Sequence, residues 1–435
     1  MPAHGYLLVR KSPVINGSVE LVGAKNAVLV IIASLILTRG KSIISNVPSS
    51  VDVQYMIMLL RDLGAHIEFD AKAKILIADT SSINSFEVKP EIMNKMRASI
   101  LVMGPLLARF GKAKVALPGG CLIGARPIDY HLKGFRQMGV KTEDNIPFLD
   151  AEIAGTGLNL SRRIVLEYPS VGATENIMMF ATLQPGLTVI VNAALEPEVL
   201  DLIDLLRKMG AKIVYEGSII TIQGVDVLSG VEHSVIPDRL EAGAVLLSAA
   251  MTGGTIDLPT ARADHMDTFL EKLKEMGHLI TCGTNATQEL PLQGIRLQAT
   301  REPRAISVKT GPYPCFPTDL QAPLMAALCL ANGTSTVEET VFENRLIHVQ
   351  ELQKMGAQIT LKGSKAVIRG VDHLYGCEVI ATDIRASCAL VLAGFVAEGE
   401  TKIIGDHHWR RGYDNLEEKL HVLGAHITLF SSKSE

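Results

Sequence analysis

The sequence predicts an α/β protein of two similar lobes, each a closed arrangement of three α/β units. Three observations carry this. The chain's 435 residues exceed one ordinary core at roughly 150 residues per domain. A unit of alternating helix and short strand recurs six times along it. Its 47% hydrophobic and 20% charged residues, with glycine and proline spread throughout, make a globular composition and exclude a disordered or fibrous chain.

The recurring unit is marked twice. A Leu/Met-Gly step closes a helical pattern at Gly64, Gly139, Gly210, Gly277, Gly356 and Gly424, and most copies then run into a short apolar strand. A second glycine ends a helix ahead of a β-branched run at Gly40, Gly111, Gly186, Gly254, Gly333 and Gly399. Members of this second set lie 66 to 79 residues apart, and each precedes its Leu/Met-Gly partner by 23 to 28. A glycine at a helix C-terminus is common alone, whereas two markers in phase through six copies are hard to obtain by chance. The period is longer than that of the usual solenoid repeats, which favours closure. Three units per lobe place a break near residues 235–238, and a cleft between similar lobes is the expected ligand site.

Composition narrows the function. A net charge of −4 leaves no basic excess to neutralise a phosphate backbone, so no nucleic-acid partner is expected, and a bound anion must be met by a few placed cations. The N-terminus lacks a signal-peptide pattern, and the longest apolar run, residues 27–37, is too short to span a bilayer and reads as a buried helix. The six cysteines show neither Cys-x-x-Cys spacing nor framework density, which fits free thiols in a cytoplasmic protein with no membrane partner.

Chemistry concentrates in three segments. Gly23-Ala24-Lys25-Asn26 precedes the apolar helix, and a glycine turn delivering Lys and Asn to a helix N-terminus makes an anion site; a capped helix with a solvated lysine is the plain alternative. Pro118-Gly119-Gly120-Cys121-Leu122-Ile123-Gly124-Ala125-Arg126-Pro127 is a pliable loop that should bring Cys121 to solvent or substrate. Arg126, five residues on, can lower the thiol pKa and hold an anion beside it. The other five cysteines read as structural. Cys315-Phe316-Pro317-Thr318-Asp319 sets a carboxylate after a stiff turn, either as a first-turn helix residue or as a general base. Arg97, Arg345, Arg385 and Arg411 are further cationic candidates, each equally readable as a surface or salt-bridged residue. His407 and His408 are adjacent and point different ways, so no metal site is expected. No Walker loop or dinucleotide fingerprint is present.

At these residues the sequence resembles the UDP-N-acetylglucosamine enolpyruvyl transferase family. Gly-Ala-Lys-Asn, Pro-Gly-Gly-Cys-x-Ile-Gly-Ala-Arg-Pro, Ser-Val-Gly-Ala-Thr, Phe-Pro-Thr-Asp, Thr-Val-Phe-Glu-Asn-Arg and Arg-Gly-Tyr occur in the family's order between about Gly17 and Gly424. The resemblance implies a two-lobed inside-out α/β barrel of six β-α-β-α-β-β units, three per domain. Residues 1–24 would give the first strands to the second lobe, residues 25–236 would form lobe one with the Cys loop, and residues 237–435 lobe two with the acidic residue. It further implies transfer of the enolpyruvyl group of phosphoenolpyruvate to the 3-hydroxyl of UDP-N-acetylglucosamine by addition and elimination, without a cofactor. A monomer is expected, and a thiol exposed in an anion site predicts that fosfomycin alkylates Cys121. In that scheme Cys121 is the general acid toward the methylene carbon and Asp319 takes the hydroxyl proton. Lys25, Arg126 and Arg411, with Asn26 and Arg97, hold the anionic groups. Pro127, Ile128, Asp129 and Tyr130, the Ser170-Val171-Gly172 turn and Val341 contact the nucleotide sugar, and Arg385 contributes to closure or product contact.

One departure stands out: where some family members carry Lys two residues before the Ser-Val-Gly turn, this chain has Tyr168 followed by Pro169, which questions a charge contact to the diphosphate there. Two rivals remain, a transferase acting on shikimate 3-phosphate and a non-catalytic nucleotide-sugar-binding homologue. The Cys loop opposes the first. The presence of Lys25, Cys121, Arg126, Asp319 and Arg411 opposes the second.

Overall fold

The run from residue 27 to residue 37 is apolar on every side, and a helix of that kind must be enclosed rather than laid on a surface. It forms helix Lys25–Ser34 and a following 3-10 turn Leu35–Leu37, with residues 27–37 all buried. Five more helices share this character: Met103–Phe110, Val171–Ala181, Arg239–Thr252, Gln321–Leu328 and Ile384–Val396. The computed structural model describes residues 5–93, 96–116, 128–145, 147–154 and 161–431, apart from the side chains at 92, 93, 97 and 144. These fall into two compact units, one of residues 5–22 and 237–431 and the other within residues 23–236, each with its own buried apolar cluster.

Around the buried helices stand six small sheets. Five have four strands in one pattern, a parallel pair followed by two antiparallel pairings. In one, Ser161–Val165 runs parallel to Leu187–Val191, which pairs antiparallel with Ile219–Gln223 and that with Lys212–Glu216. A parallel pair needs a crossover, and where the two strands are near in sequence it carries one of these buried helices, as in Ser307–Lys309 to Thr334–Glu338 through Gln321–Leu328. The sixth sheet has three strands, with Glu87 bridging Lys114 in the parallel position.

Six β-α-β-α-β-β units, three per lobe, are therefore present, with helices inside and sheets outside. This is the inside-out arrangement that the resemblance implied; no sheet closes into a ring, since among the described residues each ends in free edges. The units are not contiguous in sequence either. Glu232–Ser234 pairs parallel with Lys41–Ser45 at the start of the same unit, while Tyr6–Arg10 lies between Glu400–Ile404 and Ile427–Phe430, and Gly17–Ser18 pairs with Thr255–Arg262. All six Leu/Met-Gly glycines have φ between 85° and 107°, a region open to glycine at little cost.

Where the chain passes from residue 22 to 23 and from 236 to 237, Ala24 N donates to Ile236 O at 2.7 Å and Asp238 N to Val22 O at 2.8 Å. Glu241, in the first turn of helix Arg239–Thr252, accepts from Val22 N at 3.3 Å and from Lys419 Nζ. Burial raises its pKa to about 7 from 4.5, against the opposing pull of Lys419. Because the folded value is the higher one, Glu241 contributes stability that is fully present below pH 4.5 and lost as pH rises through 7. Urea midpoints measured across that range should show wild type losing stability relative to E241Q as pH rises. Wild type gaining stability relative to E241Q as pH rises contradicts this.

Candidate active site

In the unit of residues 23–236, helix Lys25–Ser34 begins one residue after an extended Ala24 that has no side-chain cap. Gly23 is required by crowding: a Cβ there would lie 1.9 Å from Asn46 O. Lys25 thus opens the first turn, and its Nζ meets Asp52 Oδ2 at 2.8 Å, the two side chains being 12% and 2% exposed. Asn26, next in the turn, is exposed. Arg97 begins the 3-10 segment Arg97–Val102. Cys121, Arg126 and Pro127 lie outside the described residues.

Ile128 is half-buried and precedes helix Asp129–Gln137, which starts with exposed Asp129 and half-buried Tyr130. Ser170 caps helix Val171–Ala181, its Oγ accepting from Ala173 N at 3.4 Å, and Val171 and Gly172 are half-buried. Behind that turn, Asn176 Nδ2 donates to Ile100 O at 3.0 Å and to His131 Nδ1 at 2.9 Å, while its Oδ1 accepts from Gly104 N at 2.7 Å. A Cβ on Gly172 would come within 3.1 Å of the His131 ring. One buried amide therefore ties the Ser-Val-Gly turn's helix to the 3-10 segment that begins at Arg97, to helix Met103–Phe110 and to the helix that begins at Asp129.

In the other unit, Asp319 sits in the 3-10 turn Thr318–Leu320 that feeds helix Gln321–Leu328. Its oxygens are divided between two guanidiniums: Oδ1 accepts from Arg345 Nη2 at 2.8 Å and Oδ2 from Arg385 Nη2 at 2.9 Å. The arginines are 4% and 6% exposed and the carboxylate 27%. Arg385 follows Asp383, which caps helix Ile384–Val396, and its Nη1 donates to Tyr413 Oη at 3.3 Å. Burial alone would lower the Arg385 pKa, but Asp319, Tyr413 and Asp238 hold it above the ordinary value. His348, wholly buried, is pushed down to about 4 by burial, partly offset by Asp383, and its Nδ1 donates to Arg345 O. Among the described residues Arg345 Nε and His348 Nε2 are buried without a hydrogen-bond partner, a rare state for polar atoms.

Arg411 is half-buried in helix Asp406–Gly412, two residues before Tyr413. His408 in the same helix is lowered to about 4 by burial and His407, with Asp383 opposing. Val341 is half-buried, and its N donates to Glu339 Oε1 at 2.7 Å. Among the described residues no group of three or more metal-binding side chains converges. Cys329 and Cys388 are buried, with pKa values raised by burial to about 12 and about 11, as inert core thiols require. Cys315, four residues before Asp319, is exposed.

The EPSP synthase (3-phosphoshikimate 1-carboxyvinyltransferase) family model matches residues 9–420. A protein of Caldanaerobacter subterraneus subsp. tengcongensis named UDP-N-acetylglucosamine 1-carboxyvinyltransferase 1 is 49% identical over 97% of this chain and 98% of its own length. The chain belongs to the UDP-N-acetylglucosamine 1-carboxyvinyltransferase family. A second relative of that name, from a Psychrobacter strain, is 46% identical over 95% of this chain and 94% of its own. Among solved structures, the enolpyruvyl transferase NikO from Streptomyces tendae superposes with a TM-score of 0.88 at 22% identity over 99% of both chains. EPSP synthase from Acinetobacter baumannii gives 0.77 at 18% identity, covering 98% of this chain and all of the other. These two share the fold.

Sequence reasoning missed several groups in this UDP-N-acetylglucosamine 1-carboxyvinyltransferase family member. Asp52 stands 27 residues after Lys25 and reads as an ordinary first-turn acid of helix Val51–Asp62. Tyr413 was visible only as part of Arg-Gly-Tyr, and Glu339, His131 and Asn176 carried no signal. Pairing across such separations is set by the fold.

Proposed function

We propose that the protein transfers the enolpyruvyl group of phosphoenolpyruvate to the 3-hydroxyl of UDP-N-acetylglucosamine with release of phosphate, the committed entry to peptidoglycan synthesis in the bacterial cytoplasm. The observation that supports it most is the 49% identity, over nearly all of both chains, to a relative named for that transfer. No helix among the described residues is long and apolar enough to cross a membrane.

In this reading Asp319, fixed between two guanidiniums, accepts the sugar hydroxyl proton as the oxygen attacks C2 of phosphoenolpyruvate, and Cys121 protonates the methylene carbon. Loss of a proton from that carbon and of phosphate from C2 then restores the double bond. Lys25, Arg126 and Arg411, with Asn26 and Arg97, meet the carboxylate and phosphate charge, which fixed cations stabilise as it redistributes. Ile128, Asp129, Tyr130, Pro127, the Ser170–Gly172 turn and Val341 contact the nucleotide sugar, and Arg385 acts through Asp319.

Phosphate should be released only when phosphoenolpyruvate and UDP-N-acetylglucosamine are supplied together. Release with shikimate 3-phosphate as the acceptor instead would transfer the assignment to the sister reaction. Fosfomycin should inactivate the enzyme, the Cys121 thiolate opening the epoxide to form a carbon–sulfur bond. Mass spectrometry is expected to find one adduct at Cys121 and none in C121S; an unmodified Cys121 after long exposure with the sugar present would refute it.

A further inference from the structure

We infer that Glu339 is a positioning residue that locks the turn presenting Val341 to the turn presenting Asp319. This rests on the reaction proposed above, since it gives those two turns their roles.

Glu339 lies one residue beyond strand Thr334–Glu338 and is 3% exposed. Its Oε1 accepts from Val341 N at 2.7 Å and Phe342 N at 3.1 Å, and its Oε2 accepts from Thr318 Oγ1 at 2.9 Å. All three partners are donors, which suits a carboxylate because it offers acceptors only. Charge-assisted bonds of this kind are about twice as strong as neutral ones, so the buried carboxylate makes a stiff link. Thr318 immediately precedes Asp319 in the 3-10 turn Thr318–Leu320.

The neighbouring residue is braced independently. Thr340 N donates to Thr310 Oγ1 at 2.9 Å and Thr340 Oγ1 donates to Thr310 O at 2.7 Å, so residues 340–342 are pinned to strand Ser307–Lys309 on one side and to Glu339 on the other. The Thr318 turn is tied to this braced segment by the Thr318–Glu339 bond, beside the Gly311 N to Phe316 O bond at 3.1 Å and the Arg345–Asp319 pair. Arg345 and Arg385 orient the Asp319 carboxylate, whereas Glu339 holds the residue before it against the sugar-contacting turn. A hydroxyl and its base must meet within hydrogen-bond reach, and a misplacement of about 1 Å can cost roughly 10²-fold in rate.

Four variants test the link. Gln in E339Q keeps an acceptor for the 341 and 342 amides and an NH₂ that can donate to Thr318 Oγ1, so it removes only the charge assistance, whereas T318V deletes the bond outright. T318V is expected to lower kcat about ten-fold or more and E339Q by less, each with KM for the nucleotide sugar within about two-fold, and the E339Q/T318V double variant to be no worse than T318V. T318S, which retains the hydroxyl, should restore kcat. A merely structural role would lower the unfolding midpoint while leaving kcat per folded molecule unchanged, and that result, or additive losses in the double variant, overturns the inference. Hydrogen exchange of the Val341 and Phe342 amides supplies a readout free of activity: it should quicken in T318V, and unchanged exchange there counts against the link even if the wild-type protein releases no phosphate. Absent phosphate release from wild type would instead defeat the proposed reaction, with the link still judged by exchange.

Discussion

Turnover of D319A is expected to fall by about 10²–10⁴-fold, the usual contribution of a positioned general base. The structure adds a second consequence. Asp319 is the shared partner of Arg345 and Arg385, both nearly inaccessible, so its removal strands two cations away from water. Breaking a buried pair from one side costs roughly 3–5 kcal/mol, and the 27% exposure of Asp319 puts this case toward the lower end. D319N, which keeps the shape but removes the charge and turns an NH₂ toward a guanidinium donor, should recover little of the lost stability and none of the lost rate. Steady-state phosphate release and urea midpoints on wild type, D319A and D319N test both statements together. Near-wild-type turnover in D319N would remove Asp319 as base, because an amide cannot take the proton.

Phosphoenolpyruvate use should suffer almost as much in K25M. The side chain that remains is of similar length but carries no charge, and losing a fixed cation at a site of developing negative charge typically costs about 10²–10³-fold. Asp52, 2% exposed, then loses the ammonium now 2.8 Å away, so the variant should also unfold at lower urea. D52N separates the effects: it leaves the lysine's charge in place but frees it from its anchor, and a smaller loss in kcat/KM than in K25M is expected. K25R should not rescue fully, since a planar fork replaces a compact ammonium. A kcat/KM for K25M within about ten-fold of wild type would show that Lys25 holds the fold and not the substrate.

Much of the architecture was legible before any coordinates. The six in-phase glycine pairs foretold six units because each Leu/Met-Gly marks a left-handed helix terminus, and all six glycines adopt that conformation. The apolar run at residues 27–37 foretold an enclosed helix because no face of it tolerates water. What periodicity concealed was exchange of strands: Tyr6–Arg10 and Gly17–Ser18 complete sheets whose other strands lie more than two hundred residues later, and nothing local in five-residue and two-residue strands announces a distant edge. That the sheets stay six and separate was hidden for a related reason, since closure depends on edge pairing that no local pattern encodes.

The candidate site divides in the same way. By itself the sequence determined which chemical groups are available and their local settings: a lysine opening a helix, a thiol among glycines, a carboxylate after a proline turn, and arginines enough for anionic ligands. These follow from backbone preference and hydropathy within a few residues. Only the tertiary structure decided which charges meet, giving Asp52 to Lys25, Arg345 and Arg385 to Asp319, and Glu339 to Thr318 and the 341–342 amides. Electrostatic and hydrogen-bond partnership acts over a few ångströms of space, and residues 27 or 66 positions apart come that close only once buried helices and strand crossovers have fixed the path of the chain.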